Sequence, residues 1–277
     1  MLDLSGKLEL ASLSRILAPI VQRAGVLGLD WLLIGAAARD LVLEHARGCE
    51  RARATLDLDV AVCVRCWEDY DRLKGAFVKG NGARLHLDTK QRISFPGGAE
   101  VDLVPFGGLE EDGEIVWPPE ADHRMNVRGL REALDHAEHV LLPESVKIRT
   151  LTIEHLTCLK VLAWRDRGHE KRLHDSVDIA YIFKNADRIV CLDELYDSHL
   201  ELMKECDYDH KTAGIQLLGE RLRQTLLPET REALTRILQE ECDEAGSLRL
   251  VADMRVGGHG LRHLRALRRG VLGSQTA

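Results

Sequence analysis

With 277 residues, 45% of them hydrophobic and 30% charged, the chain has the make-up of a soluble globular protein with room for two ordinary domains, and not that of a disordered one. A formal net charge of −7 excludes indiscriminate coating of nucleic acid through overall charge, though a local basic patch remains compatible with it. No apolar run reaches the ~18 residues of a membrane span, and the N-terminus lacks the basic-then-apolar order of a signal peptide. The seven scattered cysteines suit reduced thiols, so the expected compartment is the cytoplasm.

Residues 8–24 place Leu8, Leu10, Leu13, Ile16, Leu17, Ile20 and Val21 at helical spacing, with Pro19 expected to kink or stop the helix. "LDWLLIG" reads as a buried strand ending at Gly35, and "AAARDLVLEHA" as the helix that follows. After a basic, irregular connection from Arg47 to Arg53, "TLDLDVAVCV" alternates like a strand and "CWEDYDRLKGAFV" returns to helical spacing. "ARLHLDTKQRISF" and "AEVDLVPFG" are two further expected strands, divided by the turn Pro96-Gly97-Gly98. "EEDGEIVWPPEADHRM" is expected to be a loop, and "HVLLP" and "SVKIRTL" short strands.

From Thr152 the pattern is helical: "IEHLTCLKVLAWRDR", "DSVDIAYIFKN", "DELYDSHLELMKE", "AGIQLLGERLRQTL" and "PETREALTRILQEE", separated by polar breaks. The chain therefore reads as α+β, with an α/β domain over 1–150 and an all-helical domain over 151–277.

The chemistry sits in "RATLDLDVAV". In an extended strand Asp57 and Asp59 point to one face while Leu56, Leu58 and Val60 take the other. Two carboxylates so close repel unless a cation lies between them, and hard divalent ions such as Mg²⁺ prefer such oxygen ligands; a solvated edge strand is the plainer alternative. Three features favour the metal site. Gly35 ends a strand and opens a helix beside only small residues, Ala36 to Ala38, where backbone N–H groups can approach phosphate. Asp102 adds a third acid, on the strand face of Glu100 and Val104. Lys160 and Arg165 on one helix precede Asp175 and Asp178, three apart on the next.

Together, "LLIGAAARDLVL", "RATLDLDVAV", "VDLVPFG", "LKVLAWRDR" and "HDSVDI" resemble the AbiEii/AbiGii toxin group of predicted nucleotidyltransferases, within the DNA polymerase β-like nucleotidyltransferase superfamily. The resemblance runs from about residue 30 to 185 and implies a mixed nucleotidyltransferase sheet flanked by helices, with a helical C-terminal part. It implies that Gly35, Ala36 and Arg39, with Thr55, hold the nucleotide. It assigns Asp57, Asp59 and Asp102 to two Mg²⁺ ions, and matches Lys160 with Arg165 to the group's K-x4-R motif and Asp175 to its following acid, Asp178 being the fallback. The implied activity is transfer of a nucleoside monophosphate from an NTP to an acceptor hydroxyl, RNA or tRNA favoured, by the toxin of a toxin–antitoxin or phage-defence system with an antitoxin partner. Small-molecule, antibiotic-type transfer and non-catalytic nucleotide binding are the alternatives.

Two positions depart from the group: Ala36 stands where a second glycine is usual, and Arg172, Leu173 and His174 stand where relatives often carry a lysine pair. "GAAARD" also resembles the corresponding turn of tRNA CCA-adding enzymes and poly(A) polymerases. Outside these motifs, Cys63 and Cys66 form a lone C-x-x-C with no zinc-spaced partner and are read as plain thiols, and Trp67, Trp117 and Trp164 as packing residues. Arg262, Arg265, Arg268 and Arg269 are read either as one phosphate-binding helix face or as a frayed, solvated tail.

Overall fold

The computed structural model describes residues 1–51, 58–86, 89–119 and 123–273. The chain divides into two compact units, Met1–Thr152 and Ile153–Ala277. The first contains β1 (Leu2–Asp3), α1 (Ala11–Leu27), β2 (Trp31–Ile34), α2 (Gly35–Arg39, continued by a π-helical turn over Asp40–His45), β3 (Leu58–Val64) and α3 (Trp67–Asn81). It continues with β4 (Arg84–Leu85), β5 (Arg92–Ser94), β6 (Glu100–Gly107), β7 (Glu114–Val116), β8 (Arg124–Asn126), α4 (Leu130–Asp135), β9 (Glu138–Leu141) and β10 (Lys147–Thr150).

Among the described residues, eight strands form one mixed sheet in the order β1-β9-β10-β2-β3-β6-β5-β4. β3 lies between antiparallel β2 and parallel β6. A strand so enclosed is apolar on both faces, and Val60, Ala61 and Val62 are fully buried. On one side α3 contributes Tyr70, Leu73 and Phe77, all fully buried. Tyr70 donates to the carbonyl of Leu103 at 3.0 Å, which ties α3 to β6. Its phenol is pushed far above the ordinary tyrosine range, first by burial and then by the nearby charges of Asp71 and Asp102.

Several elements differ from the sequence reading. Pro19 lies inside α1 without ending it. The helical stretch Leu8–Leu27 has the length and apolarity of a membrane span after all, at a mean hydropathy of 1.2. Leu17, Ile20 and Ala24 on it are fully buried, and Ser14 Oγ donates to the Pro143 carbonyl at 2.5 Å. The expected loop at 110–125 contains the β7–β8 pairing, joined in register at Ile115 and Met125. Among the described residues of the expected strand at 83–95 are two short strands, β4 and β5, paired antiparallel. Short alternations of this kind lie below the length at which periodicity separates strand from loop.

The second unit is helical: α5 (Ile153–Asp166), α6 (His169–Lys184), α7 (Ala186–Ile189), α8 (Leu192–Ser198), α9 (Leu200–Glu205), α10 (His210–Thr225), α11 (Pro228–Glu241), α12 (Arg249–Met254) and α13 (His259–Leu272). α10 and α13 cross closely, with glycines facing each other: a β-carbon on Gly219 would meet Gly270 Cα at 2.9 Å. α13 is a packed helix rather than a frayed tail, with Leu264, Ala266 and Leu267 fully buried.

Candidate active site

The sheet of the first unit brings acids together by register. Asp59 on β3 pairs with Asp102 on β6, and neighbouring strands present paired residues on the same face. Arg92 on β5 pairs with Asp102 from the other side, and Ser94 with Glu100. The result is a polar stripe across three strands. Beneath it, Val101 and Leu103 are fully buried on the opposite face of β6, as the alternation of that strand predicts.

Within the stripe Arg92 makes a forked ion pair with Asp102: Nε donates to Oδ1 at 2.8 Å and Nη2 to Oδ2 at 3.0 Å. Its third nitrogen, Nη1, donates to Glu100 Oε2 at 3.0 Å. His86 continues the line, its Nε2 2.6 Å from Ser94 Oγ and 3.8 Å from Glu100 Oε1.

Gly35 closes the stripe at the β2–α2 junction. Its φ is +70°, and a β-carbon built on it would lie 2.2 Å from Asp59 Oδ2. Glycine is required here on two counts, the left-handed backbone and the carboxylate pressed against it. Ala36, Ala37 and Ala38 follow, all buried. Arg39, expected beside a bound nucleotide, is instead fully enclosed, with Nε at 2.8 Å and Nη2 at 2.5 Å from Asp40 Oδ1. The guanidinium is wholly removed from solvent and tied to the turn through Asp40.

Thr55 and Asp57 lie outside the described residues. Among the described residues no group of three or more His, Cys, Asp or Glu side chains could hold a metal. What is described is one pair, Asp59 and Asp102. Its donor set of carboxylate oxygens suits a hard divalent cation, and one oxygen of Asp59 faces a wall without a side chain.

The second unit holds its own buried cluster. Lys160 Nζ lies 2.9 Å from Asp175 Oδ1 and 2.7 Å from Asp178 Oδ2. Arg167 Nη1 reaches Asp175 Oδ2 at 3.1 Å. Both aspartates expected from the sequence therefore engage the lysine, with two cations balancing two anions, as a buried group of charges requires. Arg165 does not join them. It lies 2.7 Å from Glu240 Oε2, across on α11. Helix geometry carried one residue past the end of α5, where Arg167 N still donates to the Ala163 carbonyl at 3.0 Å, explains the exchange: Arg167 is seven residues from Lys160, within about 20°, whereas Arg165 at five residues is turned about 140° away. That spacing was a readable signal for Arg167, which the K-x4-R match obscured.

The remaining motifs carry less. The seven cysteines are free thiols. Cys63 accepts from Arg131 Nη2 at 3.3 Å, and burial pushes its thiol up against the lowering effect of that arginine. On α13, Arg262 pairs with Asp209 at 3.4 Å, Arg265 with Glu244 at 2.5 Å, and Arg269 donates to Gln216 at 3.0 Å. Three of the four arginines read as a phosphate-binding face are thus engaged within the unit.

A family profile described as nucleotidyl transferase AbiEii toxin, type IV toxin–antitoxin system, matches residues 26–248. Among solved structures, an antigenic nucleotidyltransferase-like protein from Paracoccidioides brasiliensis is 19% identical, with 73% of this chain and 91% of that one covered at a TM-score of 0.42. The Thermotoga maritima CCA-adding enzyme complexed with tRNA is 11% identical, with 93% of this chain and 69% of that one covered at a TM-score of 0.24. Likenesses this low carry no functional weight. No curated protein matches the chain.

Proposed function

The chain belongs to the nucleotidyl transferase AbiEii toxin family of type IV toxin–antitoxin systems, and on that premise we propose that it moves a nucleoside monophosphate from an NTP to a hydroxyl of an RNA acceptor, tRNA favoured, in a Mg²⁺-dependent reaction. The observation that supports this most is the register of Asp59 against Asp102, with Gly35 against the Asp59 carboxylate. Sheets seldom set two acids side by side on one face without a cation to share, because like charges directly opposite destabilise the pairing.

Asp59 and Asp102, together with Asp57, would hold the Mg²⁺. When bound, the metal neutralises phosphate charge and lowers the pKa of the attacking hydroxyl. The chain's own part is positioning. Gly35 and Ala36 leave room for phosphate oxygens at the β2–α2 turn, and Asp102 would receive the hydroxyl proton on a carboxylate oxygen. Lys160 and Asp175, with Asp178 and Arg167, act as one charge-balanced group in the second unit and set the geometry of α5 against α6. The RNA acceptor rests on the family resemblance alone, since the arginines of α13 are mostly engaged.

Incubation of the protein with each labelled NTP, Mg²⁺ and total cell RNA and protein tests the reading directly. Label is expected in RNA, with Asp59→Asn and Asp102→Asn each lowering transfer at least about a hundredfold. Unchanged transfer by both variants would sink the metal site, and label in protein or a small molecule would replace the acceptor.

A further inference from the structure

We propose that Arg92 is a built-in competitor for the metal: it holds Asp102 while the site is empty of cation and must give up at least one Asp102 oxygen when the divalent ion binds. The inference rests on the proposed metal site and adds to it a positioning residue from β5 that no motif marks. Three observations support it. First, the Arg92 fork takes both oxygens of Asp102, at 2.8 and 3.0 Å, the two-point pairing that guanidinium and carboxylate favour. A hard cation needs one of those oxygens for itself. Second, Arg92 has a place to remain: Nη1 keeps Glu100 at 3.0 Å, so loss of Asp102 does not strand a charge. Third, the register fixes the competitor where it stands, since Asp102 is flanked in the sheet by Asp59 on one side and Arg92 on the other.

Two states follow. In the first, Asp102 is neutralised by Arg92, and the repulsion between Asp59 and Asp102 is relieved without metal. In the second, the cation takes Asp102 and Asp59, and Arg92 withdraws onto Glu100. The device holds the carboxylate in a fixed rotamer before loading, at some cost to metal affinity.

Binding of Mn²⁺ to the nucleotide-free protein, followed by electron paramagnetic resonance, tests this without any reaction. Arg92→Lys keeps the charge and removes the fork, so competition predicts Mn²⁺ affinity higher than wild type by roughly three- to tenfold. Arg92→Gln should raise it further. A purely structural arginine predicts the opposite, because a loosened Asp102 binds metal less well; a simple charge effect predicts no change in Arg92→Lys. Either result overturns the proposal. Thermal unfolding of each variant, and retained Mn²⁺ binding on restoring arginine at 92, exclude misfolding as the cause. Failure of the metal-site reading looks different: Asp59→Asn, Asp102→Asn and wild type would then bind Mn²⁺ equally poorly, and the competitor would fall with the site.

Discussion

Gly35 and Asp59 stand so close that a single methyl group cannot be placed between them: the position a β-carbon would take at Gly35 is 2.2 Å from Asp59 Oδ2. The glycine therefore does two jobs in one place, turning the chain from β2 into α2 and leaving the Asp59 carboxylate its room. Gly35→Ala adds about 1–2 kcal/mol of backbone strain at this left-handed position and drives the carboxylate aside. Since the far end of an aspartate can swing, the fold should survive while transfer of labelled nucleotide falls by about two orders of magnitude. A Gly35→Ala protein with full transfer and an unchanged melting temperature would show that Asp59 has no fixed place in the reaction.

The Lys160 cluster predicts a non-additive stability pattern. Lys160→Met leaves buried Asp175 and Asp178 without the lysine they share, Arg167 remaining at Asp175 alone, and is expected to cost about 3–5 kcal/mol. Asp175→Asn and Asp178→Asn added to Lys160→Met should recover most of that loss, because the uncompensated charge is gone. Urea midpoints of the single, double and triple variants check the sign, and a triple variant weaker than Lys160→Met would refute the charge-balance account.

Packing of α13 on α10 makes a contrasting pair of glycine predictions. A β-carbon at Gly270 would lie 2.0 Å from the Gln216 carbonyl oxygen and 2.7 Å from Glu220 N. Backbone cannot step aside as a side chain can, so Gly270→Ala should destabilise by about 1–3 kcal/mol or more. Gly75, inside α3, has nothing within 4 Å of its would-be β-carbon. Gly75→Ala should therefore stabilise, by about 0.4–1 kcal/mol. Thermal unfolding of the two variants side by side is the measurement.

Acid should weaken the second unit through His263 before ordinary carboxylates titrate. Burial, first of all, holds this imidazole below its usual pKa; Asp209 pulls it up, and His259, Arg262 and Lys211 push it down again. Its ring also packs edge-on to Phe183, with centroids 6.0 Å apart. A histidine depressed in the folded state binds its proton more readily when unfolded, so stability is present above the unfolded value near ~6.5 and is lost as pH falls through it. Melting temperature should drop between pH 7.5 and 5.5, and His263→Phe should flatten that drop. An equal slope in the variant would assign the effect to a group other than His263; Asp209, held below the usual carboxylate range by its Thr212 hydrogen bonds in spite of burial, responds only at more acid pH.

The sequence by itself determined the family, the split between a strand-bearing and a helical part, and the acids of the sheet, because each rests on local order. Period-two alternation put Asp102 opposite Val101 and Leu103, and the Gly35 turn followed from a short apolar run ending on glycine. The long amphipathic helices were equally local in origin. What only the tertiary structure decided is pairing between distant segments. That Asp59 faces Asp102, and that Arg92 rather than a metal-binding neighbour stands on the other side of Asp102, are consequences of strand register across 43 and 10 residues of chain, which no periodicity encodes. The same holds for Arg165, which meets Glu240 on α11, and for Arg39, which is enclosed beside Asp40. Local pattern says which way a side chain points; only the packed chain says what it meets there.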